Sequence, residues 1–148
     1  MDILRIFMSF TGTFAFSLLF NIRGKKLVFA SVAGLVCGLS YYISGCLSER
    51  EIFAYFMASV CVTVYAEITA RFVKAPATSF LAPGIIPLVP GGALYYTMSA
   101  ALHGNAELFF ERGMETVYIA LAIAAGILVI SPIKAVFGEI KLKNNCNL

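Results

Sequence analysis

The chain has 148 residues, of which 60% are hydrophobic and 13% are charged. A soluble domain needs roughly a quarter of its residues charged, so this composition excludes an ordinary water-soluble globular protein and indicates that the chain lies in a lipid bilayer. The net charge of +3 does not indicate nucleic-acid binding, because the basic residues border apolar runs and form no stripe with interleaved aromatics.

Five hydrophobic segments follow one another along the chain, each long enough to cross a bilayer core of about 30 Å. They lie at residues 3–22, 27–45, 52–72, 78–102 and 114–137. The first is too long for a signal peptide and has no AxA-type cleavage site, which predicts a retained helix. We therefore predict a single all-α integral membrane domain over residues 1–148, with about five transmembrane helices.

The lysines and arginines predict which loops face the cytoplasm. The outer loops carry only Arg50 and Arg112, and the basic residues assigned to the cytoplasmic side are Arg23, Lys25, Lys26, Arg71, Lys74, Lys134, Lys141 and Lys143. Under the positive-inside rule, this pattern predicts a multi-pass protein of the cytoplasmic (inner) membrane, with its N-terminus outside and its C-terminus in the cytoplasm.

Residues suited to metal binding or catalysis are scarce. The four cysteines, Cys37, Cys46, Cys61 and Cys146, form no CxxC or metal-spaced cluster, so neither a disulfide framework nor a metal site is predicted. His103 is the only histidine and sits beside Gly104 and Asn105 at the predicted outer end of the fourth segment, which favours a solvated loop residue over a ligand. We therefore expect no cofactor and no enzymatic activity.

Small residues recur at four-residue spacing in three of the segments, on one helix face each. These stripes are Ser9, Thr13 and Ser17; Ala30, Gly34 and Gly38; and Ala120 and Ala124. Small side chains let two helix backbones approach closely in a membrane, so the stripes predict helix packing rather than a substrate path.

The third segment carries a polar line on one helix face, formed by Ser59, Thr63, Glu67 and Arg71. Ionisable residues inside membrane segments usually mark ion or substrate paths. A Glu four residues before an Arg is also the favourable orientation for a helical ion pair, so the alternative interpretation is that Glu67 and Arg71 neutralise each other. Both interpretations remain open at this point.

The fourth segment contains an unusual set of helix breakers: Pro83, Gly84, Pro87, Pro90, Gly91 and Gly92. Such a run predicts a broken helix. Broken backbone at membrane depth survives only where it is buried in protein or lines a wet cavity. A helix that restarts after Gly92 would direct its free N–H groups into that cavity, which is a geometry for binding anions.

Polar groups follow the predicted restart. Tyr95, Ser99 and His103 recur at four-residue spacing and suggest a polar conduit. The alternative is a re-entrant or interfacial kink in which Tyr95 and Tyr96 are interface anchors. Further along, the outer loop places Glu107, Glu111 and Glu115 at the same spacing, which is typical of a solvated helix face.

The stretch AEITARFVKAPATSFLAPGIIPLVPGGALYYT, residues 66–97, resembles the threonine/serine exporter family. The likeness is to its five-helix C-terminal half, which is fused to an N-terminal half in some exporters and is a separate short YjjB-like subunit in others. The resemblance carries the Glu-x-x-x-Arg pair over to Glu67 and Arg71, and the proline-glycine segment over to the six breakers at 83–92.

The resemblance implies export of a small carboxylate-bearing metabolite, threonine or serine, or a dicarboxylate such as succinate. It also implies an N-terminal-half (YjjP-like) membrane subunit as partner, in a hetero-oligomer, with a homo-oligomer left open. We expect the substrate carboxylate to bind the restarted helix near the midplane or its cytoplasmic side, with Arg71 as a second contact. The alternatives are a structural membrane subunit without its own substrate site and a membrane-embedded enzyme.

Overall fold

The computed structural model describes the backbone of residues 2–48 and 50–145, and the side chains of residues 4–48 and 50–130. All regular secondary structure in this part of the chain is helical, which confirms the all-α prediction. The elements are α1 (Asp2–Leu19), α2 (Lys25–Leu47), α3 (Glu51–Val73), α4 (Thr78–Ile85), a 3₁₀ turn (Ile86–Leu88), α5 (Gly91–Leu102) and α6 (Ala106–Asn145).

Among the described residues, three helices are long and apolar enough to cross a membrane, namely α2, α3 and residues Ala106–Ile130 of α6. A fourth apolar unit consists of Thr78–Leu88 followed by α5, and it is bent by 54° at its break. The apolar part of α1, Leu4–Leu19, is shorter. The predicted interruption of the fourth segment is therefore confirmed, and it lies between the 3₁₀ turn and α5.

The connection between α5 and α6 is much shorter than the sequence suggests. We predicted an outer loop up to residue 113, but α6 already begins at Ala106. Gly104 adopts a φ of 69°, which permits a tight turn, and the Asn105 side chain accepts a hydrogen bond of 3.2 Å from the Leu108 amide. This cap starts α6 early. The predicted fifth segment, 114–137, is thus the middle of a longer helix.

Some sequence predictions lie outside the described residues. These concern the side chains of Lys134, Lys141 and Lys143 and all of Cys146.

Helices α1 and α2 pack through the two small-residue stripes, as predicted. The Ser9 hydroxyl donates a hydrogen bond of 2.8 Å to the Gly34 carbonyl oxygen. A Cβ atom at Gly34 would overlap the Thr13 side chain, and one at Gly38 would lie 3.3 Å from the Ile6 Cα. The two backbones therefore approach as closely as glycine allows.

The interrupted fourth segment is inserted into the bundle through α4. Phe80 and Pro83 are fully buried there. A Cβ atom at Gly84 would lie 2.9 Å from the Ala33 Cβ of α2 and 3.0 Å from the Val62 Cγ1 of α3. α4 is thus a packed helix, whereas the irregular backbone that follows it, at Val89 to Gly92, borders a cavity instead.

Helix α6 packs against α3 through a face that the sequence did not indicate. A Cβ atom at Gly126 would overlap Ser59 and lie 2.9 Å from the Phe56 carbonyl oxygen. Ile119 and Ile123 are buried on the same side. The predicted stripe on this helix was wrong, because Ala120 and Ala124 are exposed. The packed face combines Gly126 with the large residues Ile119 and Ile123, so a search for stripes of small side chains did not reveal it.

Thr13 provides a test of the α1–α2 interface. Its side chain is buried, and its hydroxyl has no hydrogen-bond partner. Thr13→Val keeps the shape but removes the unsatisfied hydroxyl, so we expect it to stabilise the protein by about 1–2 kcal/mol. Thermal unfolding in detergent measures this. Thr11→Val is the matched control, because the exposed Thr11 hydroxyl donates to the Phe7 carbonyl oxygen at 2.9 Å. Equal effects of the two substitutions would contradict the interpretation.

Candidate functional site

The start of α5 has the geometry that the sequence predicted. Pro90 precedes its first residue, and the Gly91 amide is already engaged with the Val89 carbonyl oxygen at 2.7 Å. The amides of Gly92 and Ala93 lie in the first helical turn, where no intrahelical acceptor exists. Together with the helix dipole, these two donors make the start of this 12-residue helix attractive to an anion.

A polar cavity of about 280 Å³ lies at this helix start, and we call it the α5 cavity. Three helices line it: α3 and α5 through their first turns, and α6 through residues further along the helix. Its polar side chains are Glu51, Tyr55, Tyr96, Arg112 and Glu115, and the remaining lining comes from residues 89–93 and Ile119. The predicted cavity beside the interrupted segment is thus present, with charged groups of both signs in its wall.

The charges in the α5 cavity form a dipolar arrangement. Arg112 donates a hydrogen bond of 3.0 Å to Glu115, and both side chains are about two-fifths exposed, at 43% and 38%. An exposed ion pair of this kind contributes little to stability. Glu51 adds a second carboxylate from the first turn of α3. The site therefore offers an arginine and two free amides for a carboxylate, and two carboxylates for an ammonium group.

The short connection at residues 103–105 brings Arg112 and Glu115 to this position. It folds α6 back along α5, so that a Cβ atom at Gly113 would lie 3.6 Å from Thr97. Residues further along α6 then pair with residues nearer the start of α5. Arg112, Glu115 and Ile119 consequently reach the level of Gly91 and Gly92.

A second cavity lies between α1, α2 and the 3₁₀ turn, and we call it the α1–α2 cavity. It has a volume of about 440 Å³, and its wall includes Arg5, Ser9, Tyr41 and Cys46. Tyr55 lines both cavities. Its ring meets Tyr41 edge to face, with 5.0 Å between the ring centroids.

The six predicted helix breakers divide between the cavities and the core. Pro90, Gly91 and Gly92 line the α5 cavity. Pro87 lines the α1–α2 cavity. Pro83 and Gly84 are buried within α4 and face neighbouring helices. The second half of the segment therefore lines the cavities, and its first half packs against neighbouring helices.

The polar line on α3 runs from the buried interior to the surface. Ser59 and Thr63 are buried, and their hydroxyls donate at 2.7 Å to the carbonyl oxygens of Phe56 and Ser59 on their own helix. Glu67 is half-buried and Arg71 is exposed. Their predicted ion pair stays a prediction.

The structure does not bring this line to the start of α5. Tyr55, which lines the α5 cavity, precedes Arg71 by 16 residues on the same helix, which corresponds to about 24 Å at 1.5 Å per residue. Arg112, rather than Arg71, is the arginine beside the restarted helix.

The residues of the predicted conduit along α5, Tyr95, Ser99 and His103, do not line the α5 cavity. Tyr95 is 69% exposed, and its ring contacts Tyr96 with 5.6 Å between centroids. The Ser99 carbonyl oxygen lies 2.8 Å from the His103 Nδ1 atom in the last turn. Among the aromatic residues of α5, Tyr96 lines the cavity. The two tyrosines are adjacent in sequence, so they project about 100° apart around the helix.

Sequence reasoning missed five polar residues of the α5 cavity: Glu51, Tyr55, Tyr96, Arg112 and Glu115. Arg112 and Arg50 were used only to predict topology, and Glu115 was assigned to a solvated helix face. That assignment holds for Glu107 and Glu111, which are exposed. A usable signal was the similar separation of Gly92 and Glu115 from the turn, since Gly92 lies 12 residues before Gly104 and Glu115 lies 10 residues after Asn105. Such similar separations predict that the two residues come close in a helical hairpin.

Apolar helices of membrane-spanning length indicate a multi-pass membrane protein, and a charged cavity at a discontinuous helix is typical of transport proteins in this class. The chain matches the threonine/serine exporter (ThrE) family over residues 5–133 and belongs to that family. No match was found among curated proteins or among solved structures.

Proposed function

We propose that the chain is a membrane transport subunit that exports a small zwitterionic amino acid of the threonine/serine type. The observation that carries this proposal is the α5 cavity, which combines free helix-start amides and Arg112 with Glu51 and Glu115. The substrate carboxylate binds the amides of Gly92 and Ala93 and the Arg112 guanidinium. The ammonium group binds the carboxylates.

The charge balance of the cavity favours an amino acid over a dicarboxylate such as succinate. A second substrate carboxylate would have to lie near Glu51 or Glu115, and like charges at close range disfavour binding. Serine and threonine instead present one charge of each sign. Tyr55 and Tyr96 supply hydroxyls within the same cavity for the substrate hydroxyl group.

The membrane arrangement that fits this function has five spans, with α1 as the first and the bent unit of α4 and α5 as the fourth. The N-terminus is outside, and the protein lies in the cytoplasmic (inner) membrane. Glu51, beside the predicted outer residue Arg50, then places the α5 cavity at the outer end of the bundle. In this arrangement, the cavity is the release side of an exporter.

The α3 polar line belongs to the opposite end of the same path. Ser59, Thr63 and Glu67 lead towards Arg71, close to the predicted cytoplasmic surface. We propose that Glu67 and Arg71 act where substrate enters, through the ammonium and carboxylate groups respectively or through a coupled proton at Glu67.

An N-terminal-half (YjjP-like) subunit completes the transporter in this proposal. In the described part of the chain, α5 packs against α6 and against no other helix to a comparable extent. The α5 cavity is consequently open beside α5. A partner helix there would close the site, in a hetero-oligomer or, with a second copy of this chain, a homo-oligomer.

The second candidate function is a structural membrane subunit without its own substrate site. It is favoured by the α3 hydroxyls, which are satisfied by their own helix and pack at the α6 interface. In neither case do we propose an enzymatic reaction, because transport requires binding and release of an unchanged substrate.

Counterflow in proteoliposomes distinguishes the candidates. Labelled serine, threonine and succinate are compared with the chain alone and with its N-terminal-half partner. We expect saturable exchange of serine and threonine that requires the partner, exceeds succinate exchange, and is lost in Glu67→Gln and Arg71→Ala. If none of the three exchanges with the partner present, the structural-subunit function is favoured instead. Dominant succinate exchange would contradict the amino-acid assignment.

A further inference from the structure

The α1–α2 cavity is unexplained by the proposed site. Its volume of about 440 Å³ exceeds that of the α5 cavity. It extends inward to the buried residues Cys37 and Leu88, and its wall also contains Arg5 and the exposed Cys46. Since one water occupies about 30 Å³ of liquid volume, the cavity has ample room for an amino acid the size of serine.

The wall between the two cavities consists of a side chain and the interrupted backbone. Tyr55 contributes to both cavities. The 3₁₀ turn borders the α1–α2 cavity through Pro87 and Leu88, and the next residues, Val89 and Pro90, border the α5 cavity. The partition therefore runs through the Tyr55 ring and along the chain break.

The Tyr55 ring is positioned by contact with a second aromatic ring and by packing against buried residues of the core. Its partner is Tyr41 of α2, at a centroid distance of 5.0 Å and an interplanar angle of 61°. Edge-to-face pairs contribute only about 0.5–1.5 kcal/mol. A rotamer change of Tyr55 would remove the side-chain part of the partition without any movement of the packed α4 helix.

We propose that the α1–α2 cavity is a second chamber of the transport path, that it takes the same zwitterionic amino acid, and that Tyr55 is the gate between the chambers. In the second chamber, Arg5 faces the carboxylate, and the hydroxyls of Ser9 and Tyr41 are available to the polar groups. This inference rests on the proposed function. It adds a gating role for Tyr55 and a second chamber, and the proposed function requires neither.

Cys46 makes the second chamber measurable, because its thiol is exposed and lines the cavity. The full chain with its partner is treated with a thiol reagent in a Cys61→Ser, Cys146→Ser background, in which buried Cys37 remains. At serine concentrations about ten times Kd, about one tenth of the chambers stay empty, so Cys46 modification slows about tenfold. Complete modification with a bulky maleimide should abolish serine counterflow.

The control places the thiol one residue further along. Leu47 is 78% exposed and does not line the cavity. In a Cys46→Ser, Leu47→Cys variant, serine should not slow modification, and the adduct should not affect counterflow. Equal protection of both thiols, or full counterflow after complete modification of Cys46, would overturn the second chamber.

The gate is tested by two substitutions at one position. Tyr55→Phe keeps the ring, so serine should still protect Cys46 even where loss of the hydroxyl lowers serine affinity. Tyr55→Ala removes the partition, so serine is no longer retained in the second chamber and, at the same fractional saturation, should protect Cys46 less than in Tyr55→Phe. Identical behaviour of the two variants would overturn the gate. If the unmodified protein with its partner neither binds nor exchanges serine, both the proposed function and the second chamber are contradicted. If serine exchange is normal and Cys46 modification does not change it, only the second chamber is contradicted.

Discussion

Arg112→Gln is expected to weaken serine binding by about 10- to 100-fold, because a hydrogen bond to a charged group contributes about 1.5–3 kcal/mol. Glutamine retains hydrogen-bond donors but loses the charge and the two-pronged guanidinium that a carboxylate prefers. Arg112→Lys, which keeps the charge alone, should recover part of the affinity. Equilibrium binding of labelled serine and the apparent KM of counterflow measure both variants.

Arg50→Gln is the matched control for this experiment. Arg50 is an exposed arginine at the same end of the bundle, next to Glu51, but it does not line the α5 cavity. Its replacement removes the same charge from the same region, so a long-range electrostatic effect would appear in both variants. Similar losses for Arg50→Gln and Arg112→Gln would contradict direct contact between Arg112 and the substrate.

The same comparison can be made for the carboxylates. Glu115 lines the cavity, whereas Glu111, one turn earlier on α6, is exposed outside it. Glu115→Gln should weaken serine binding and reduce discrimination against succinate, because a repulsive charge is removed. Glu111→Gln should change neither quantity. An unaltered serine-to-succinate ratio in Glu115→Gln would contradict the role of the charge balance in selectivity.

The sequence was sufficient to predict features that depend on local chemistry. Prolines at 83, 87 and 90 cannot donate to a helix ladder, so an interruption within residues 83–92 followed from residue type alone. Its position did not, because Pro83 lies inside α4 and the break comes only after Leu88. The Gly34 stripe likewise predicted close packing, because a backbone can approach only where side chains are small. Both predictions agree with the structure, and neither depends on knowing which helices are neighbours.

The composition of the cavity depended on tertiary pairing instead. Arg112 and Gly92 are 20 residues apart, and they meet because the connection at Gly104 and Asn105 is short enough to form a helical hairpin. The side chains of Tyr95 and Tyr96 point about 100° apart around α5. The packing of α5 against α6 determines that Tyr96, and not Tyr95, faces the cavity. Hydrophobic periodicity carries little of this information, because lipid-facing residues are as apolar as buried ones.

Gly34→Ala is expected to be among the most destabilising single-methyl changes in the bundle. The new Cβ would overlap the Thr13 side chain and lie 2.8 Å from the Ser9 carbonyl oxygen. Trimming Thr13 cannot relieve the second contact, because it involves backbone, so α1 and α2 must separate. Overpacking costs about 1–3 kcal/mol, and separation also lengthens the Ser9–Gly34 hydrogen bond, which contributes about 1 kcal/mol.

Gly12→Ala supplies the control, because a Cβ atom at Gly12 has no atom within 4 Å. It makes the same change in the same helix pair and should stabilise α1 by up to about 1 kcal/mol through helix propensity. The propensity gain applies equally at Gly34 and offsets part of its cost, so a net destabilisation of about 1–3 kcal/mol is expected there. Thermal unfolding in detergent should show a lower melting temperature for Gly34→Ala and a higher one for Gly12→Ala. A stabilised Gly34→Ala variant would show that α1 and α2 are not in close contact.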